Sequence, residues 1–183
     1  MANSSLTTKD RITTYRSPMV YLRYAEALNR AGYPSSAFAV LKYGLCAEHL
    51  TYVDPREQLA AGDLIVFRSE FDHDNTIGIH SRGSGDSHCN AKYSMPMPKE
   101  AQANYDDTVK CQIPLVEDLI IDEMALEGSF EGNRFYDLLR VASRLDRDAS
   151  YLANRIAQRD GSENAALKAL LMNKDNWFLP LPR

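Results

Sequence analysis

Apolar positions recur at helical spacing through most of this chain, and the intervals between them mark out its elements. The run MVYLRYAEALNRA follows Ser17 and Pro18, an N-cap with proline at the first helical position, and Gly32 stands where a C′ residue belongs. A second start at Pro34-Ser35-Ser36 carries FAVLKYGL to about Gly44. The two helices form a hairpin with small Ala25, Ala27 and Ala37 at the crossing, similar to a tetratricopeptide pair. No second copy follows, and a lone pair cannot bury its apolar face, so the hairpin is expected to pack on later helices.

From Asp54 to Ile113 the helical period fades. LIVF at 64–67 reads as a short strand or a buried turn, and residues 68–100 form a long connection punctuated by Gly78, Gly83, Gly85, Pro96 and Pro98. Helical spacing returns at Pro114 and is expected to run to about Leu145, with Val116, Ile120, Met124, Leu138, Ala142 and Leu145 on one stripe. Glu127, Glu131 and Arg134 fall in the middle of that stripe. The reading adopted is a buried ion-pair clasp of Glu131 with Arg134; a catalytic carboxylate pair would need substrate access between the two acids. Gly128 and Gly132 are where such a helix would break. Asp148 is expected to cap ASYLANRIAQRD, which stops at Gly161, and Ser162 to open ENAALKALLMN with Leu170, Leu171 and Met172 facing inward. In the tail DNWFLPLPR, Pro180 and Pro182 forbid helix, and Trp177, Phe178, Leu179 and Leu181 are expected to pin it to the bundle.

With 183 residues, 44% of them hydrophobic and 25% charged, the chain has the size and composition of one ordinary globular domain. The net charge of −4 is uneven: +2 over residues 1–60, −9 over 61–133 and +3 over 134–183. An acidic middle third argues against a nucleic-acid surface there. Cys46, Cys89 and Cys111 are not spaced as a zinc ribbon or a redox dithiol. The start MANSSLTTKDR lacks an apolar core for a signal peptide, and no run reaches the roughly 18 apolar residues of a membrane span. Residues 1–14 read as an extended or disordered lead.

The richest set of ligand-type side chains is Asp72, His73, Asp74, His80, Asp86, His88 and Cys89 in the long connection. Their spacing matches no metal motif, so no metal or cofactor is expected. Ser81 to Asp86 lacks the Gly-Lys-Ser/Thr ending of a phosphate loop, and no nucleophile elbow accompanies the Ser, His and Asp residues. What remains is a set of planar polar and aromatic groups suited to sugar hydroxyls and sugar faces. His80, Arg82, Asp86, Asn90 and Tyr93 are therefore the candidate ligand-binding residues. The tyrosines Tyr15, Tyr21, Tyr24, Tyr33 and Tyr43 near the first hairpin read as amphipathic packing.

Three segments, EGNRFYDLLR with the preceding acidic run, YRSPMVYLRYAEALNRAGYPSSAFAVLKYGL and NWFLPLP, occur in the order found in the C-terminal part of the SusD/RagB family. The chain resembles that part alone and departs from it at Asp122-Glu123, where the family places an arginine just before the first glutamate. The resemblance implies a mainly α fold: a tetratricopeptide-like hairpin packed with further helices and a long irregular loop, residues 15–183 forming one helical domain of a larger fold. It also implies non-enzymatic nutrient capture, of a glycan above all, at the outer-membrane surface, with a SusC-like TonB-dependent transporter as partner. A lipoprotein signal and its anchoring cysteine would then lie upstream. The competing readings are a tetratricopeptide-type interaction module and, on the acidic His-containing loop alone, a small metal-dependent hydrolase.

Overall fold

The computed structural model describes residues 16–44, 53–61, 94–98, 104–144 and 147–178. These residues are mainly helical, and among them no strand occurs. The expectations for LIVF, the 72–93 loop, the lead, Cys46 and Cys89 lie outside the described residues. Among the described residues seven α-helices follow in order: α1 (Ser17–Arg30), α2 (Pro34–Tyr43), α3 (Pro55–Ala61), α4 (Tyr105–Glu127), α5 (Arg134–Ala142), α6 (Ala149–Ala157) and α7 (Ala165–Leu171). A 3-10 turn at Lys174–Trp177 closes the series. No described helix is long and apolar enough to cross a membrane. The chain divides into two compact units, Met1–Glu127 and Gly128–Arg183.

In the first unit, α1, α2 and α4 pack on one another, and α3 lies against α2. Proline in the first turn sets φ at the starts of both α1 and α2. Gly32 and Gly44 end these helices at φ +95° and +80°, a backbone region that costs glycine nothing. Leu22, Ala25, Ala37, Leu41, Val116, Ile120 and Ile121 are fully or almost fully buried. Each large aliphatic chain among them contributes about 1.5–3 kcal/mol by leaving water. Ala27 departs from expectation: it lies on the exposed face of α1, while Ala25 and Ala37 are in the core.

The start of α4 differs from the sequence reading. Pro114 does not open this helix but lies inside it, nine residues after Tyr105. The true start is Asn104, whose Oδ1 accepts from the Asp107 amide at 2.9 Å, with Asp106 and Asp107 in the first turn. Beside the proline, Asn29 of α1 donates from Nδ2 to the Ile113 carbonyl at 2.8 Å, binding the two helices together.

The expected helix from 114 to 145 is also two helices. α4 ends at Glu127, turns occupy 128–132, and α5 begins at Arg134. Gly132 takes φ +76° and Phe130 φ +67°, neither compatible with a continuing helix. The apolar positions are core as expected, with Val116, Ile120, Met124, Leu138 and Ala142 all buried; Leu145 lies outside the described residues. The clasp is corrected. Glu131 is exposed in the turn and Arg134 is half-buried at the start of α5, so the two do not sit on one buried helical stripe. Phe130 is fully exposed and holds a left-handed conformation that costs an L-residue roughly 1–2 kcal/mol. Phe130→Asn, which tolerates that region, is expected to raise stability by about 0.5–1 kcal/mol in thermal unfolding.

In the second unit α6 packs on α5 and α7, and the closing 3-10 turn packs on α7. Asp148 caps α6 as expected, accepting from the Ser150 amide at 2.8 Å. Asn164 caps α7, accepting from the Leu167 amide at 3.0 Å, so that helix starts two residues later than expected. Only Leu171 of the expected inward set is buried; Leu170 and Met172 are exposed. Trp177 is buried and donates from its indole to the Leu171 carbonyl at 2.7 Å, whereas Phe178 is exposed. Successive helical side chains point about 100° apart, so Leu171 and its neighbours sit on different faces and one of the three goes in.

Candidate functional site

Helix α2 begins without a capping side chain of its own, because Tyr33 occupies the N-cap. Its free amides are satisfied from a distance. Glu57 on α3, only 3% exposed, accepts from the Ser35 amide at 2.9 Å, the Ser36 amide at 2.8 Å and the Ser36 hydroxyl at 3.0 Å. A carboxylate at a helix N-terminus also meets the positive end of the helix dipole. Tyr105, the first residue of α4, donates to the same carboxylate at 3.4 Å. One buried side chain thus ties three helices together.

The residue before α3 makes the second tie. Asp54 accepts from the Arg56 amide at 2.8 Å as the cap of α3, and its own amide donates to the Ser35 hydroxyl at 2.9 Å. Its two carboxylate oxygens then receive the Arg56 guanidinium as a fork, from Nε at 3.1 Å and Nη2 at 3.0 Å. The guanidinium lies 3.7 Å above the centre of the Tyr105 ring. The Arg56 hydrogen bond holds the Asp54 carboxyl below its ordinary pKa. Burial raises the Tyr105 hydroxyl to about 12, helped by the negative charges of Glu57 and Asp54, so it remains a donor at neutral pH. Burial also raises Glu57, against the opposing pull of the Ser35 and Ser36 hydrogen bonds.

These groups form one side of a cleft of about 410 Å³, within the usual range for small-ligand sites. Met95, Met97, Asn104, Thr108 and Gln112 complete it. The Ser94–Pro98 segment is held along α4 by Gln112, whose Nε2 donates to the Pro96 carbonyl at 3.1 Å and lies 3.6 Å from the Met97 sulfur. No family model matches this chain, and neither a characterised protein nor a solved structure matches it. The cleft must therefore be read from its own chemistry. Its four ionisable groups, Asp54, Arg56, Glu57 and Tyr105, are all tied into hydrogen bonds or the ion pair with one another or with the start of α2. What faces a ligand is a mixture of amide, hydroxyl and thioether groups beside a flat guanidinium.

The residues singled out in the sequence, His80, Arg82, Asp86, Asn90 and Tyr93, and the cluster Asp72, His73, Asp74, His88 and Cys89, lie outside the described residues. Sequence reasoning passed over Asp54, Arg56, Glu57 and Tyr105. One signal was present: a helix starting Tyr-Pro-Ser-Ser has no Ser, Thr, Asp or Asn at its N-cap, so another residue must supply the acceptor.

A second charged cluster lies in the core of the same unit. Arg30 pairs with Glu26 on its own helix and reaches Glu117 of α4 at 3.5 Å, while Arg23 approaches Glu26 at 3.3 Å. Arg16 pairs with Glu127 at 3.6 Å. With Glu26 and Glu117 buried, these contacts are a clasp of the kind expected for Glu131 and Arg134, placed instead between α1 and α4. Their role is structural.

Proposed function

We propose that this chain is a non-enzymatic nutrient-binding protein of the SusD/RagB type, capturing a glycan at the outer-membrane surface for a SusC-like TonB-dependent transporter. The observation that carries the binding part of this reading is the cleft beside Tyr105. It has the volume of a small-ligand site, and its charged groups are engaged internally. A group locked in such bonds is poorly placed to attack or to shuttle protons, and well placed to present a rigid polar surface. The family, the membrane setting and the transporter come from the three sequence segments that resemble SusD/RagB proteins, EGNRFYDLLR foremost.

Binding is tested by calorimetric titration of the full chain with neutral oligosaccharides, beside two sets of variants. Met97 is 67% exposed, so Met97→Ala can remove part of the cleft wall without opening a core. A loss of affinity of roughly threefold to tenfold in Met97→Ala, with an unchanged melting temperature, supports ligand binding in the cleft. A loss confined to Arg82→Ala and Asn90→Ala assigns the ligand to the 72–93 loop instead. Hydrolysis of the sugar, abolished by changing His80 or Asp86, would overturn the non-enzymatic reading.

A further inference from the structure

We propose that Asp54 sets the specificity of the cleft, holding Arg56 in an internal ion pair so that the site accepts uncharged, hydroxyl-bearing ligands and rejects anions. The inference rests on the reading of the cleft as a ligand site. Arg56 is the one cation among the described residues that line it. Left to itself, a forked guanidinium is the side chain best shaped to receive a carboxylate, sulfate or phosphate. Here both forked contacts go to Asp54, at 3.1 and 3.0 Å, and one face of the group is covered by Tyr105 at 3.7 Å.

The pair lies at the surface, with the Arg56 side chain 64% exposed, but its carboxylate half is anchored to the backbone. Asp54 cannot swing away without giving up the cap on the Arg56 amide, and the Ser35 hydroxyl holds the Asp54 amide. Paired with Asp54, the Arg56 guanidinium offers an incoming anion no net positive charge. The groups left for recognition are neutral. Gln112 is one of them: it is only 7% exposed, and its Nε2 is held by the Pro96 carbonyl. With Ser35, Asn104 and Thr108, which also line the cleft, it offers amide and hydroxyl groups of the kind that exchange hydrogen bonds with a ligand's hydroxyls.

The test compares galactotriose with trigalacturonate, which differ in carrying hydroxymethyl or carboxylate groups, on the full chain and on D54N. Asparagine caps a helix as well as aspartate does, and the Ser35 contact is to the backbone, so D54N should fold; Asp54→Ser, also a good cap, repeats the measurement. In D54N the guanidinium loses its internal carboxylate. Trigalacturonate is then expected to bind at least about tenfold more tightly than to the wild type, the equivalent of ~1.4 kcal/mol for one charge-assisted contact. The gain should vanish when Arg56→Gln is added. Equal affinity of wild type and D54N for trigalacturonate, or a gain that survives Arg56→Gln, overturns the proposal. Should D54N gain the anion while the wild type ignores galactotriose, the charge lock stands and the glycan reading falls. Galactotriose binding with no anion gain has the opposite meaning.

Discussion

Arg30→Met is expected to lower the stability of the first unit by about 2–3 kcal/mol, at or just below the roughly 3–5 kcal/mol that breaking a fully buried ion pair costs. The reason is geometric. Glu26 and Glu117 are 4% and 1% exposed, and Arg30 is the cation that reaches both. Methionine keeps most of the aliphatic stem and removes the charge, so packing loss is small and the electrostatic change is isolated. The arginine itself is 32% exposed, which is why the upper end of the range does not apply. Urea unfolding followed by far-UV circular dichroism gives the readout, because the single tryptophan belongs to the second unit. Adding Glu117→Gln should recover part of the loss, giving a coupling of more than about 1 kcal/mol in the double-mutant cycle. Additive small effects would mean that Arg30 is a surface charge and the clasp carries no weight.

That clasp shows how far the sequence could be read. An arginine–glutamate pairing on the apolar side of a long helix was legible, but its members were misassigned. The stripe from Met124 to Leu138 spans 14 residues, close to four helical turns at 3.6 residues each. Apolar residues on two separate helices can therefore keep the phase of one. Periodicity does not register the turn between them. Gly132, with its positive φ, marked that break. The first hairpin and α6 were legible for the opposite reason, since proline, Gly32, Gly44 and Asp148 are local signals that act within one turn. α3 was missed because it is seven residues long, too short for a period to show. The start of α4 was missed because Pro114 looks like a first-turn residue, although Asn104 with Asp106 and Asp107 is the stronger start signal.

The Asp54–Tyr105 cleft was barely legible, and the separations explain it. Glu57 meets Ser35 and Ser36 across 22 and 21 residues, and Tyr105 across 48. No motif reaches over such distances. Only the empty capping position at Tyr33 hinted that an acceptor must arrive from elsewhere.

Removing that acceptor is expected to have the largest effect of any single change outside the aliphatic core. Glu57→Ala leaves the Ser35 and Ser36 amides and the Ser36 hydroxyl without their partner, and Ser36 is 1% exposed, so water cannot easily replace it. At about 1–3 kcal/mol for each buried donor left unsatisfied, a loss of about 3 kcal/mol is expected, with faster hydrogen exchange at the first turn of α2. Glu57→Gln should fall between, since its NH₂ group must face one of the donors. The effect has a definite pH dependence. Burial raises the folded-state pKa of Glu57 above its ordinary value, so the folded protein holds this proton more firmly than the unfolded chain. Its contribution is then present in full below the ordinary carboxylate pKa and declines as pH rises through the raised folded value. The stability gap between wild type and Glu57→Ala should accordingly be widest in acid and narrow across that window. A gap that widens with pH instead would show that the hydrogen bonds from Ser35 and Ser36 outweigh desolvation, making the ionised carboxylate the form that holds α2.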